Sequence, residues 1–388
     1  MFFEFSSVSK ISFGIGRFSE LPKLAAGWGN SALIIFNGTG HSADDTIARL
    51  QQMLTSSNVR STSCKQSGEP TVEDIDRAVA VGKSNQVDFV IGIGGGSAID
   101  AAKATAGLLS NGGAAIDYME IIGAGRKITA PALPWLAIPT TAGTGAEVTR
   151  NAVVGSPKHN YKASIRSDYL LAKAVLIDPE LNVNVPANVT AASGMDAVCQ
   201  LIESFTSNAA NPMSDALALP GLRLAFPALR KSVANLNDVD ARSDMAVAAM
   251  WSGITLMNAG LGAVHGFASP FSARDPVPHG VICARLLPAV IKANVAQLRA
   301  ENKSIERYVQ IGKIAANREH IPDELAIAIL MEWIADSLQM FSIPTLASFG
   351  FDESHARDII PKAKKAGSMK FNPVVLPDEV LLDILMSS

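Results

Sequence analysis

The chain has 388 residues, 48% of them apolar and 18% charged, with a net charge of −3. That length exceeds what one hydrophobic core usually supports, so two domains are expected, and the composition excludes a disordered chain. A near-neutral balance without a basic stripe excludes nucleic acid as a partner.

Cys64, Cys199 and Cys283 form no CxxC pair and no even framework, which suits a reduced intracellular protein. The start MFFEFSSVSK lacks the basic and apolar regions of a secretory signal. The uncharged run 128–146 is broken by Pro131, Pro134 and Pro139, which does not suit a spanning helix. No membrane partner is expected, and the expected location is the cytoplasm.

In chain order, four apolar runs read as strands: SALIIF (31–36), DFVIGI (88–93), WLAIP (135–139) and AVLID (174–178). Their continuous apolar character, without alternation, predicts strands buried on both faces of a parallel sheet. After Pro186 the pattern turns to helical periodicity, in DALALPGLRLAFPAL, DMAVAAMWSGITLM and DELAIAILMEWIADSLQMF. The expected organisation is an α/β domain over 1–183 and an all-α domain over 184–388.

The second strand runs into Gly94, Gly95, Gly96 and Ser97 before a helical stretch. Glycines there let backbone approach a ligand, and the helix start offers N–H groups to a phosphate. The run is not GxGxxG, because Ser97 stands at the third glycine position, and a tight turn without a ligand is the alternative. The third strand ends in IPTTAGTGAEVT, where Thr140, Thr141 and Thr144 offer hydroxyls; alternatively, Thr144 caps a helix from Ala146 together with Glu147. Two such turns at strand carboxyl ends are where ligands sit in open α/β sheets.

Asp196 and Gln200 are spaced to share one face of a helix, and His265 and His279 lie in a glycine- and proline-broken segment. Asp196 is also an ordinary helix-start residue, and each histidine alone suits a core position. Together the four make a plausible ligand set for Zn²⁺ or Fe²⁺. Cys199 and Cys283 read as core.

These motifs resemble the iron-containing (group III) alcohol dehydrogenases, related in fold to dehydroquinate synthase and glycerol dehydrogenase. The matching stretches are FGIGR, GGGSAIDAAKA, AIPTTAGTGAEVTRNAVV, LIDPEL, SGMDAVCQLIE, NPMSDALAL and VHGFASPFSARDPVPHGVICARLLPAVIKAN, in family order. The resemblance implies a Rossmann-like N-terminal domain binding NAD or NADP, a helical domain holding a divalent metal, catalysis in the cleft between them, and at least a homodimer. It would place the pyrophosphate at Gly94, Gly95, Gly96, Ser97 and Asp100, and the nicotinamide and ribose near Thr140, Thr141, Thr144 and Lys162. The family's Asp, His, His and His ligands correspond to Asp196, Gln200, His265 and His279.

Four positions depart from the family. Gln200 replaces a ligand histidine, which should weaken the metal. Ser269 replaces a histidine near the nicotinamide, so proton relay would use a hydroxyl and water. Asn37 replaces an aspartate that pairs with the adenosine ribose, so NADP becomes admissible. Glu69 stands at the asparagine of the family's PNPT.

The expected activity is reversible NAD(P)-dependent oxidation of a small alcohol to an aldehyde or ketone, with His265, His279 and Ser269 at the chemistry. One alternative is metal-independent reduction of an activated keto or oxo acid; another is a non-redox lyase or nucleotide-binding protein, with Arg274 and Arg285 as candidate phosphate binders. If Arg274 faces the site it would favour acidic substrates; if it reaches solvent it would not.

Overall fold

Uninterrupted apolar runs place strands in the middle of a sheet, and polar ones at its edges. The computed structural model describes residues 2–38, 41–183, 185–274 and 277–388, with 41, 42, 273 and 274 described in backbone only. Among the described residues, eight strands run in chain order: β1 (Ile11–Phe13), β2 (Ser31–Phe36), β3 (Arg60–Lys65), β4 (Phe89–Gly94), β5 (Trp135–Pro139), β6 (Asn151–Ser156), β7 (Tyr161–Arg166) and β8 (Ala174–Ile177). Six form one parallel sheet in the order β1-β8-β5-β4-β2-β3, and β6 and β7 pair antiparallel outside it. The four predicted strands are the four central ones.

This sheet belongs to a unit made of Ser7–Thr141 and Ala146–Asn182. Its helices are α1 (Leu21–Ala25), α2 (His41–Ser56), α3 (Val72–Ser84), α4 (Gly96–Asn111) and α5 (Ala115–Tyr118). One apolar cluster joins Phe18 and Leu50 to Ile34, Ile91 and Ile138 of the sheet; another joins α3 and α4 to the β6–β7 hairpin through Ile75, Leu108 and Val154. Ala146–Val148 forms a single 3-10 turn leading into β6, so the alternative reading of a helix from Ala146 is met by one short turn only.

The second unit comprises Val183–Ser388, Ala142–Gly145 and the residues up to Ser6. Among its described residues there is no strand, and it holds α6 (Ala187–Thr206), α7 (Pro212–Ala234), α8 (Val239–Ala259), α9 (Ala263–Arg274), α10 (His279–Ala300), α11 (Glu306–Ala316), α12 (Asp323–Met340), α13 (Glu353–Ala363) and α14 (Asp378–Met386). Two of the three predicted helical segments fall inside α7 and α8, and the third matches α12 except for its last residue, Phe341. By length and composition α10 could cross a membrane, but 61% of its most apolar stretch is buried within the protein, as in a core helix.

Candidate functional site

Three side chains on one face of α6 organise the helical unit's polar centre. Asp196, Gln200 and Glu203 follow one another at helical i, i+4, i+7 spacing, and all three are buried. Glu203 receives the start of α9: its Oε1 accepts from the Val264 N–H at 2.7 Å, and its Oε2 lies 2.6 Å from His265 Nδ1. A carboxylate at the positive end of a helix is stabilised there. Held at Nδ1, the His265 ring turns Nε2 toward Asp196 Oδ1, 3.1 Å away.

Helix α10 begins at His279, capped by Pro278, whose φ of −57° suits proline. His279 Nε2 lies 3.7 Å from Asp196 Oδ1, and the two imidazole rings are 5.5 Å apart between centroids. One turn along α10, Cys283 places its sulfur 3.6 Å from His279 Nε2 and 3.7 Å from His265 Nε2. Donor atoms of Asp196, His265, His279 and Cys283 all lie within 4.8 Å of one another. Metal–ligand bonds of about 2.0–2.3 Å at tetrahedral angles need donors about 3.3–3.6 Å apart, so a small rearrangement lets this set close on a divalent ion.

Gln200 sits beside the cluster but faces differently. Its Nε2 donates to Asp196 Oδ2 at 3.2 Å, and its Oε1 accepts from the Ser252 hydroxyl at 2.9 Å. The opposite amide orientation would set Oε1 against the Asp196 carboxylate, so the network fixes the one observed.

Burial opposes ionisation of Asp196, but His279 and then His265 outweigh it and hold its carboxyl below the ordinary range. Burial likewise opposes a proton on His265, and Cys283, Asp196 and Glu203 outweigh it, so that ring's pKa lies well above the ordinary histidine value. Burial, reinforced by Cys199, pushes the Cys283 thiol well up, and burial pushes Cys199 up to about 12. A cation takes histidine and cysteine in their deprotonated forms, so its binding at this centre is coupled to proton release.

In the sheet unit, β4 ends at Gly94, whose φ of +144° an L side chain rarely adopts. Gly95 follows as the N-cap of α4 without a side-chain cap, which leaves backbone donors at the helix start. Asn37, at the end of β2, lies against this turn, where its Oδ1 accepts from the Gly95 N–H at 2.9 Å. Thr140 continues β5, its N–H donating to the Gly94 carbonyl at 2.9 Å, and the Thr141 side chain borders Gly95. The glycine and threonine turns therefore meet at the carboxyl ends of adjacent strands.

Asp100 spends its oxygens inside the unit, on the Val153 N–H at 3.0 Å and on Lys103 Nζ at 3.1 Å. Lys103 is fully buried and also donates to the carbonyls of Ala146 and Asn151 and to Thr149 Oγ1, tying the threonine loop to α4. Lys162, on β7, pairs with Glu69. Thr144 belongs to the helical unit, and Ser269 lies one turn after His265 on α9. Arg285 donates to the carbonyls of Ile343 and Pro344, whereas the side chain of Arg274 lies outside the described residues.

Sequence reasoning missed Glu203, Lys103 and the neighbours of Cys283. Each carried a spacing signal: Glu203 extends the Asp196–Gln200 stripe by three residues, Lys103 follows Asp100 by three, and Cys283 follows His279 by four.

Comparison with known proteins covers both units. Residues 8–179 match the family described as iron-containing alcohol dehydrogenase, and residues 190–388 match the Fe-containing alcohol dehydrogenase family, C-terminal. The chain is 42% identical over 223 residues to long-chain-alcohol dehydrogenase 1 of Geobacillus thermodenitrificans, a match covering 58% of this chain and 56% of that relative. Among solved structures, a 1,3-propanediol oxidoreductase superposes with a TM-score of 0.90 at 28% identity, covering 99% of each chain. A sulfoacetaldehyde reductase from Bifidobacterium kashiwanohense, in complex with NAD+, superposes with a TM-score of 0.85 at 26% identity, covering 99% of this chain and 98% of its own.

Proposed function

This chain belongs to the iron-containing alcohol dehydrogenase family, and from that premise we propose that it catalyses reversible oxidation of a small alcohol to an aldehyde or ketone. NAD or NADP would accept the hydride, and Asp196, His265 and His279 would hold Fe²⁺ or Zn²⁺. The observation that carries this reading is the convergence of those three side chains, from three helices, on one buried point. When bound, the cation polarises the alcohol oxygen and lowers its pKa, and the nicotinamide supplies the hydride acceptor.

The chain's own residues bind and orient. Glu203, 2.6 Å from His265 Nδ1, would hold a proton on that nitrogen and leave Nε2 to ligate. Ser269 offers a hydroxyl for proton relay through water. The turn Gly94–Ser97, whose shape Asn37 Oδ1 fixes by accepting from the Gly95 N–H, is assigned to the pyrophosphate together with Asp100. With no carboxylate at position 37, both NAD and NADP are accommodated. Thr140, Thr141, Thr144 and Lys162 are assigned to the ribose and nicotinamide. As its sequence suggests, the protein is placed in the cytoplasm as a homodimer or higher homo-oligomer.

Purified protein supplied with Fe²⁺ or Zn²⁺ is expected to reduce short aldehydes with NADH or NADPH and to oxidise the matching alcohols. No turnover with any short alcohol, either cofactor and either metal would sink the reading. Turnover of an activated oxo acid untouched by chelators would favour the metal-independent alternative that Gln200 motivates. Glu203→Gln should weaken the metal about 10–100-fold, since losing the group that orients a ligand histidine typically does so. Competition with a chromophoric chelator reads this out, and unchanged affinity would remove Glu203 from the machinery.

A further inference from the structure

We infer that Cys283, and not Gln200, is the fourth protein ligand at the Asp196–His265–His279 centre, making it a carboxylate–imidazole–imidazole–thiolate site that selects Zn²⁺ over Fe²⁺. The inference rests on the proposal that this cluster holds a metal, and it deepens that proposal by naming the donor set.

The geometry is specific. Metal–nitrogen bonds of about 2.0–2.1 Å and a metal–sulfur bond of about 2.3 Å at a tetrahedral angle put nitrogen and sulfur about 3.6 Å apart. The Cys283 sulfur lies 3.6 Å from His279 Nε2 and 3.7 Å from His265 Nε2. It therefore stands at a tetrahedral edge length from both ring nitrogens at once. His279 and Cys283 are at i and i+4 on α10, so one face of one helix carries both donors. The Cys283 side chain is fully buried among these groups.

Gln200 is excluded by what it already does. Its amide nitrogen, which has no lone pair for a cation, is the atom turned toward Asp196, and its oxygen is engaged by Ser252. It acts as a positioning residue that holds Asp196 Oδ2 while Oδ1 faces the two histidines. Binding then balances simply: the cation takes the sulfur lone pair, and the thiol proton leaves to solvent. A soft thiolate shifts the preference toward Zn²⁺, and Co²⁺ reports the same donor set by absorption.

The test uses the full-length protein, stripped of metal and loaded with Co²⁺ or Zn²⁺. Co²⁺ protein should show a thiolate-to-metal charge-transfer band in the near ultraviolet. Zinc-edge X-ray absorption on the wild type should show one sulfur neighbour at about 2.3 Å. Cys283→Ser should lose the band and weaken Zn²⁺ by more than about a hundredfold, beyond the loss typical of residues that only orient a ligand. Cys199→Ala and Gln200→Ala should keep the band. A full equivalent of bound metal with no sulfur neighbour, or a band that survives Cys283→Ser, overturns the inference and leaves the metal centre standing. Failure of the wild type to bind either metal overturns both. The wild-type absorption spectrum decides the matter even if Cys283→Ser does not fold.

Discussion

His265→Ala is expected to abolish metal retention and to lower kcat/KM by about a thousandfold or more. A bound cation contributes several kcal/mol to stabilising the developing alkoxide, and each tenfold in rate corresponds to about 1.4 kcal/mol. Two further losses accompany the ligand. Glu203 Oε2 and Asp196 Oδ1 both face the imidazole, at 2.6 and 3.1 Å, and alanine leaves these buried carboxylates without it. Removing one partner from a buried charge network costs about 3–5 kcal/mol. The variant should therefore melt earlier than wild type as well as lose activity. Metal analysis, steady-state kinetics and a thermal melt check the three effects together. Retained metal with wild-type kcat/KM would remove His265 from the centre.

Gly280→Ala is expected to destabilise the helical unit by about 1–3 kcal/mol and to weaken the metal at least about tenfold, although residue 280 has no donor atom. A Cβ at Gly280 would lie 2.2 Å from the Ala192 carbonyl oxygen and 2.6 Å from its carbon. Those are backbone atoms of α6 and cannot swing aside, so α10 itself must move. Ala192 precedes Asp196 by one turn and Gly280 follows His279 directly, so the displacement falls on the 3.7 Å spacing between His279 Nε2 and Asp196 Oδ1. Gly367→Ala is a matched control: no atom lies within 4 Å of its Cβ position and its φ of −57° suits alanine. Denaturant titrations should leave that variant near wild type. Equal midpoints for the two variants would show that the close approach of α6 and α10 does not set the centre.

The legibility of these features in the sequence followed their environment. Strands β2, β4, β5 and β8 were readable because they are buried on both faces and therefore uniformly apolar. Strand β3 was not, because Arg60–Lys65 lies at the sheet edge, where polar side chains meet solvent. The β6–β7 hairpin follows the threonine- and glycine-rich turn, and its strands are half-exposed and mixed in polarity, so they carry no continuous apolar run.

Within the centre, Asp196, His265 and His279 stood out by chemistry, and the structure brings them together. Glu203 and Cys283 carried only a helical spacing to Gln200 and His279, which many core residues share, and their neighbours in space single them out. Gln200 shows the converse: its spacing from Asp196 placed it beside the carboxylate, while the direction of its amide was decided by Ser252, from a helix far along the chain.

The Asp196, His265 and His279 centre is proposed to work through a divalent cation in NAD(P)-linked alcohol oxidation. Titrating Zn²⁺ or Fe²⁺ into the stripped wild-type protein, while following NADH or NADPH formation from a short alcohol, tests it most directly. Activity is predicted to start near zero, rise in proportion to added metal and level off at a single equivalent per chain. Full activity in the stripped protein, unchanged by either metal, would contradict the account.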